Sequence, residues 1–232
     1  MGQVRGFEEL DERELNELGN AYSARGMWEE AIDSYLRSMA LRKALGDVRG
    51  QGIVLNNLGT VYYNQGRSLE ALECYEGSRE ITQELGEDLS ELVALMNLAF
   101  LHFTHEEVGE FYDRADETER LALTLERWEP LSKLSWLRGR LALSGAGTYE
   151  QGLGHYVEAL RYAALEGERY LQETMTRVDE QAERLPAQGS RGLALVPYDY
   201  LQAFMREQGF SEELLRYLGG KGEEILRRPS LT

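Results

Sequence analysis

Two leucine-based marks recur along this chain at a common step of forty residues. The first mark is a leucine followed by a small residue, and its copies are Leu18-Gly19, Leu58-Gly59 and Leu98-Ala99, with Gly139 next in phase. The second mark is a lone leucine, found at Leu45, Leu85, Leu125 and Leu165. Two independent marks with one period predict a repeated structural unit. Such units stack, bury their faces against neighbours and leave one long surface for binding.

Each unit has the apolar spacing of two consecutive helices. In the first unit the pattern that includes Tyr22 stops at Gly26, and a second helical pattern carries Ala31 and Tyr35. That second helix is expected to end near Gly46, because glycine favours helix termination. The small residues of each unit would let two antiparallel helices approach closely. A chain with only four prolines in 232 residues suits this all-helical prediction.

These residues resemble the tetratricopeptide repeat. The Leu-Gly, aromatic, Ala and Tyr pattern of that family stands here as Leu18-Gly19, Tyr22, Ala31, Tyr35 and as Leu58-Gly59, Tyr62, Ala71, Tyr75. The family's usual spacing is about thirty-four residues. The longer step resembles the variant found in kinesin light chain, cell-polarity adaptors and bacterial regulators. The resemblance implies an all-α, right-handed superhelix of antiparallel helix pairs, a solenoid closed by a C-terminal helical cap.

The third and fourth units depart from the pattern. Unit three has His102 for the aromatic residue, Glu106 for the turn glycine and Phe111 for the small alanine, so it is a degenerate copy. Unit four contains a one-residue insertion and then Gly147, which is expected to mark its turn. After that turn the family pattern returns at Gly152, Tyr156 and Ala159.

The marks divide the chain into an extension, an array and a cap. We expect residues 1–10 to be an N-terminal extension, 11–166 four repeats (about 11–46, 51–86, 91–126 and 131–166), 167–227 a fifth imperfect hairpin with a cap, and 228–232 a tail. Leu171, Met175 and Val178 begin a helical stripe in the fifth hairpin. The alternative is that residues 167–227 pair with a second copy and form a homo-oligomer.

Composition limits the partners and the compartment. A formal net charge of −16 disfavours nucleic acid and anionic membranes, since phosphate contacts need a basic surface. The single cysteine, Cys74, cannot form an internal disulfide, and its helical apolar setting favours a buried packing role. No apolar run approaches membrane-spanning length, and Met1 to Leu10 lacks the apolar core of a signal peptide. We expect a cytoplasmic protein.

The family resemblance also implies where a ligand would bind. In such arrays the first helix of each pair lines a concave groove, at positions six, three and two before the small residue and one and four after it. The peptide-binding residues predicted from these positions are Asn16, Asn20, Asn56, Asn57, Tyr63, Met96, Asn97, Phe100, Phe103, Lys133, Trp136 and Arg140.

Asparagine is over-represented among these positions although it is a mediocre helix former. A carboxamide offers a donor and an acceptor, so it can bond the backbone of an extended ligand whatever the ligand's side chains. The resemblance implies this role most directly for Asn57 and Asn97, two residues before the small residue. The alternative is that the amides bond neighbouring helices or face water.

Aromatic and basic residues give the groove its other predicted features. Met96, Phe100, Phe103 and Trp136 would form an apolar floor of the kind that supplies binding hot spots, unless they serve as core. Lys133 and Arg140, one turn either side of Trp136, could receive a ligand carboxylate, unless they are simply solvated charges.

No catalytic constellation stands out in the sequence. His102 and His105 resemble metal-ligand spacing only loosely, and no glycine loop suited to phosphate follows a strand. We therefore expect no catalytic residue, metal or cofactor. The predicted function is non-enzymatic binding of a protein or peptide segment. The alternatives are a self-assembling homo-oligomeric scaffold and a regulatory subunit of a signalling or transcription system.

Overall fold

The structure, a computed structural model, describes residues 10–183, and helices are the regular secondary structure of that range. The helices are α1 (Glu12–Ser23), α2 (Trp28–Leu45), α3 (Val48–Asn64), α4 (Ser68–Leu85), α5 (Asp88–Thr104), α6 (Val108–Thr124), α7 (Trp128–Leu141), α8 (Tyr149–Glu166) and α9 (Glu168–Glu183). The predicted all-α class is confirmed. The N-terminal extension, apart from Leu10, and the cap and tail predicted beyond residue 183 lie outside the described residues.

Helix ends follow from capping residues. Asp11 caps α1, because its carboxylate accepts the backbone N–H of Glu14 while the Glu14 side chain accepts the Asp11 N–H. At the other end, α2 and α4 stop at Gly46 and Gly86, which adopt left-handed φ values of 68° and 66°. The lone leucine is therefore the last residue of α2 (Leu45) and of α4 (Leu85), and in the later units it lies within one residue of the end of α6 (Leu125) and of α8 (Leu165).

The small residue of each Leu-Gly mark lies where the first helix of a pair meets a tyrosine ring of the second. A Cβ added to Gly19 would lie 2.5 Å from the ring of Tyr35, and one added to Gly59 would lie 2.7 Å from Tyr75. Carbon atoms in non-bonded contact prefer about 3.5–4.0 Å. Only glycine therefore allows this approach, which explains the first sequence mark.

Buried side chains fill the space between consecutive helices of the first unit. Helices α1 to α5 pack in sequence, each on the next, and α3 also touches both α1 and α5. The core of α2 and α3 is formed by Ala31, Ile32, Tyr35, Met39, Val54, Leu58 and Val61. Because α3 touches α1 on one side and α5 on the other, the outer sides of these three helices lie next to each other.

The degenerate third pair exchanges the sizes of two buried residues. Helices α2 and α4 carry a buried alanine followed four residues later by a buried tyrosine, whereas α6 carries Phe111 and then Ala115, both fully buried. The facing position on α5 is Ala99 instead of glycine. An exchange that conserves volume is the change that a packed core tolerates best. His102 is buried, as its aromatic packing position predicts, and its Nδ1 lies 2.6 Å from a carboxylate oxygen of Glu107.

The missing turn glycine of the third unit leaves a non-glycine residue in left-handed conformation. Glu106 has φ of 60°, while Gly26 and Gly66 have φ of 73° and 75° at the matching turns. The turn geometry is thus kept, at the steric cost that a side chain incurs in this region.

The insertion in the fourth unit is absorbed by a π-helical segment, Ala142–Ala146, directly after α7. A π turn is the usual way in which one extra residue enters a helix. Gly145 then takes φ of 113°, and Thr148 starts α8 with a capping box that includes Gln151. The turn predicted at Gly147 therefore extends over Gly145 as well.

Contacts divide the chain into two compact units, Met1–Leu121 and Ala122–Thr232. In the second unit α7 packs on α8 and α8 packs on α9. Its glycine contact repeats that of the first unit, because a Cβ on Gly139 would lie 2.6 Å from the Tyr156 ring.

The glycine–tyrosine contact predicts opposite effects for two glycine-to-alanine substitutions in the second unit. Gly139→Ala should lower the free energy of unfolding by about 1–3 kcal/mol, since the buried Tyr156 ring cannot move away. Gly154→Ala, in α8 with nothing within 4 Å, should raise it by about 0.5–1 kcal/mol. Urea unfolding followed by circular dichroism measures both. Equal stability of the two variants would contradict the contact's importance.

Candidate functional site

The predicted binding positions of the first unit lie on one face, which we call the amide face. Each helix contributes five exposed or half-buried residues: Arg13, Asn16, Glu17, Asn20 and Ser23 on α1; Ile53, Asn56, Asn57, Thr60 and Tyr63 on α3; Val93, Met96, Asn97, Phe100 and Phe103 on α5. Helix α3 touches α1 on one side and α5 on the other, so the three rows of side chains are adjacent.

Asparagines of neighbouring helices bond to each other across the amide face. The Nδ2 group of Asn57 donates to Oδ1 of Asn16 at 3.1 Å and lies 3.3 Å from Oδ1 of Asn20. One helix further on, Nδ2 of Asn97 donates to Oδ1 of Asn56 at 2.8 Å. The amides therefore do bond neighbouring helices, and these bonds fix their orientation.

Half of the side-chain N and O atoms of the four paired residues Asn16, Asn56, Asn57 and Asn97 form no hydrogen bond within the described residues. Among the described residues, no group donates to Oδ1 of Asn57 or Asn97, and the amide groups of Asn16 and Asn56 donate to none. The side chains of all four are half-buried. The amide face thus presents acceptors and donors side by side, which can bond a ligand without breaking the existing pairs.

Tyrosines of the second helices reach the amide face from below. The Tyr35 hydroxyl donates to Oδ1 of Asn20 at 2.7 Å, and the Tyr75 hydroxyl donates to Oγ1 of Thr60 at 3.3 Å. Burial raises the pKa of Tyr35 and the pKa of Tyr75 to about 12, so both hydroxyls stay protonated donors at neutral pH. Asn20 and Thr60, the residues that follow Gly19 and Gly59, are therefore held in place by tyrosine hydroxyls of the second helices.

Aromatic rings form a continuous strip at the C-terminal ends of α3 and α5. The Phe100 ring meets the Tyr63 ring edge-on at 5.7 Å and stacks on Phe103 at 6.3 Å between centroids. Phe103 in turn packs on the buried Phe111 at 5.9 Å. Phe100 is nevertheless 40% exposed, and Met96 is half-buried beside it on α5. We call Tyr63, Phe100 and Phe103 the aromatic strip.

Two aliphatic residues lie at the opposite ends of the same helices. Ile53 is 44% exposed on α3, and Val93 is 50% exposed on α5. We call this pair the aliphatic strip. Both residues occupy groove positions implied by the family resemblance, but they are not among the peptide-binding residues predicted from the sequence. Their chemical likeness at equivalent positions of consecutive units was the signal that could have found them.

The three predicted site residues of the second unit lie together on α7. Arg140 places its guanidinium over the Trp136 ring, 4.9 Å from the centroid, and Lys133 bonds Glu129 at 2.6 Å. The indole N–H of Trp136 is buried and has no hydrogen-bond partner within the described residues. Leu137, which the family pattern places in the groove, is buried instead, because α7 turns this side toward the core.

Two arginines of the first unit form a network of ion pairs away from the amide face. On α4 and α6, Arg79 and Arg114 each bond both Glu76 and Glu117, with N–O distances from 2.7 to 3.6 Å. The charged members of the amide face are only Arg13 and Glu17. The face therefore suits hydrogen bonding and apolar contact more than ion pairing.

Groups suited to catalysis or metal binding do not gather at this face. Within the described part of the chain, no three His, Cys, Asp or Glu residues are grouped to hold a metal ion. No helix of residues 10–183 is both long and apolar enough to cross a membrane.

Comparison with known proteins identifies the repeat. Family models for the tetratricopeptide repeat match residues 14–49 and 50–110. The fold is similar to that of BtubC (BKLC) from P. vanneervenii, with TM-score 0.62, 15% identity, and coverage of 92% of this chain and 79% of that one. A kinesin light chain candidate from Podosopora anserina with nearly identical TPR-like repeats gives TM-score 0.52 and 17% identity, covering 94% and 97%. No curated protein matches the sequence.

The helix pairs and their glycine contacts define a helical-repeat protein. With the family matches, residues 14–110 are identified as tetratricopeptide repeats, and the resemblance predicted from the sequence is confirmed. Repeats of this family generally mediate contacts between proteins, and their fold is typically non-catalytic.

Cys74 provides a pH-dependent test of the packing behind the amide face. It packs against the core of α2 and α3, and burial raises the pKa of its thiol to about 11. Because the thiolate is the reactive form, alkylation by iodoacetamide at pH 8 should be about 100-fold slower in the folded chain than in urea. A folded-state rate that already levels off below pH 9 would contradict this burial.

Proposed function

We propose that this chain is a non-catalytic binding module that holds an extended segment of a protein partner on the amide face. The unused hydrogen-bonding groups of the paired asparagines carry this proposal. An extended backbone offers one donor and one acceptor per residue. Within the described residues, the unbonded groups are the Oδ1 atoms of Asn57 and Asn97 and the amide groups of Asn16 and Asn56, and together they complement such a backbone.

Pre-organisation supports this proposal. Each amide is already held by a neighbouring amide, and Asn20 is also held by the Tyr35 hydroxyl. Side chains that are fixed before binding lose little conformational entropy when a ligand arrives. Net binding energy can then come from modest hydrogen bonds, each contributing about 0.5–1.5 kcal/mol.

The second unit contributes a separate set of proposed contacts. Lys133 and Arg140 flank Trp136 and would receive an acidic side chain or a terminal carboxylate of the partner. The exposed Lys133–Glu129 pair is of a kind that contributes little stability, so exchanging Glu129 for a ligand carboxylate costs little.

The proposed partner is a protein, acting with this chain in the cytoplasm, without a cofactor or metal. The net charge of −16 supports a protein over nucleic acid or an anionic membrane surface. A single cysteine, which cannot form an internal disulfide, fits a reducing compartment.

Two alternative functions predict different behaviour in solution. A homo-oligomeric scaffold would assemble through the helices of 167–227, of which the structure describes 167–183. A regulatory subunit would act together with a separate effector protein. Light scattering at high protein concentration separates the first alternative from our proposal, because a binding module is expected to be monomeric without its partner.

The amide row predicts a selective loss of partner binding. A partner protein is first captured with the full chain, and the segment of the partner that binds is identified. The dissociation constant of that segment is then measured by calorimetry. Asn57→Ala/Asn97→Ala should weaken binding by about tenfold or more, since two hydrogen bonds to the backbone are lost.

The matched control is Asn64→Ala, which removes an exposed amide at the end of α3 outside the amide face. It should leave the dissociation constant unchanged. Circular dichroism should show full helix content in all variants. A segment bound equally well by the double variant would contradict the proposal while leaving the fold intact.

A further inference from the structure

The amide face has an apolar border on both sides of its amides. On α5 the order along the helix is Val93, Asn97 and Phe100, and on α3 it is Ile53, Asn57 and Tyr63. The aliphatic strip thus lies on one side of the paired amides and the aromatic strip on the other. Seven residues separate Val93 from Phe100, which corresponds to about 10 Å along a helix.

An extended chain that bonds the amides must direct its side chains toward these two strips. In a strand, backbone hydrogen bonds point to the sides while successive side chains project up and down at right angles to them. If the backbone N–H and C=O groups of the ligand point at the amides, its side chains run parallel to the amide face. Successive side chains then point alternately to the aliphatic strip and to the aromatic strip. Strand layers pack about 10 Å apart, so side chains of ordinary size span the distance between the strips.

Polarity changes along the array in the same region. The residues of α1 on the amide face are all polar or charged, whereas those of α5 are apolar except Asn97. The apolar part of a ligand therefore belongs over α3 and α5.

The net charge of the chain favours particular residues next to the apolar part of the ligand. The chain carries a net charge of −16, and Glu106 and Glu107 are exposed just after α5, whose C-terminal end carries partial negative charge. The negative charge of the chain therefore favours a ligand with basic residues next to its apolar run.

We propose that the amide face binds an extended segment whose alternate side chains are apolar on both sides, flanked by basic residues. One set of alternate side chains contacts Ile53 and Val93, and the other set contacts Tyr63 and Phe100. This inference rests on the proposed function and names the chemistry of its ligand.

Four synthetic peptides test this inference with the full chain. Each has two lysines at both ends, and the centres are Val-Phe-Val-Phe, Val-Ser-Val-Ser, Ser-Phe-Ser-Phe and Ser-Ser-Ser-Ser. Dissociation constants are measured by fluorescence anisotropy at low salt for the wild type, Val93→Ser, Phe100→Ser and the control Leu36→Ser. Leu36 is 50% exposed on α2, outside the amide face.

The first peptide should bind the wild type best, and the last one worst. In the wild type, each apolar set of alternate side chains should lower the dissociation constant about fivefold relative to serine. Val93→Ser should abolish this gain for the set that contacts the aliphatic strip. Phe100→Ser should abolish it for the set that contacts the aromatic strip. Leu36→Ser should change no constant. Replacing the lysines by glutamates should weaken binding of every peptide about tenfold.

The inference would be overturned if the chain bound none of the peptides, or if Val93→Ser and Phe100→Ser weakened the binding of all four peptides equally. It would also be overturned if the chain formed a dimer that covered the amide face. The proposed function is tested separately in the same assay. Asn57→Ala/Asn97→Ala should weaken all four peptides by one factor, because it removes backbone contacts. If that variant has no effect while the side-specific losses persist, the proposed function fails and the two-strip contact stands.

Discussion

The contact between a glycine and a tyrosine ring links helix packing to the amide face in the first two helix pairs of this protein. Tyr35 lies against Gly19 so closely that a Cβ would not fit, and its hydroxyl donates to the side-chain oxygen of the next residue, Asn20, on the amide face. Tyr75 does the same with Gly59 and Thr60. Because one ring joins the two helices of a pair and also supports a residue of the amide face, packing and site geometry are not independent.

The amide face follows from this arrangement by simple chemistry. Side-by-side first helices bring asparagines of consecutive units within hydrogen-bonding distance, and each pair uses one oxygen and one amide group. The groups left over are those that an extended backbone needs. The amides alone would bind any extended backbone, and the apolar strips on both sides add a preference for apolar side chains.

The repeat and the glycine-terminated helices could be predicted because each depends on residues close in sequence. The second helices stop at Gly46 and Gly86, as their pattern indicates. Other features depend on distant residues and could not be predicted. The sequence shows Phe111 in place of the small alanine, but only burial shows that Ala115 compensates for it, and Leu137 occupies a core position that its place in the repeat does not reveal. The asparagine pairs had a signal, since their partners lie 41 residues apart, one more than the repeat.

The link from tyrosine packing to the amide row is tested most directly by NMR of the free chain. Tyr35→Phe keeps the ring and removes the hydroxyl that holds Asn20. The side-chain amide resonances of Asn57, which lies 3.3 Å from the Asn20 oxygen, should shift, while those of Asn97, which bonds Asn56, should stay in place. Unchanged Asn57 resonances, or equal shifts for both asparagines, would contradict the account.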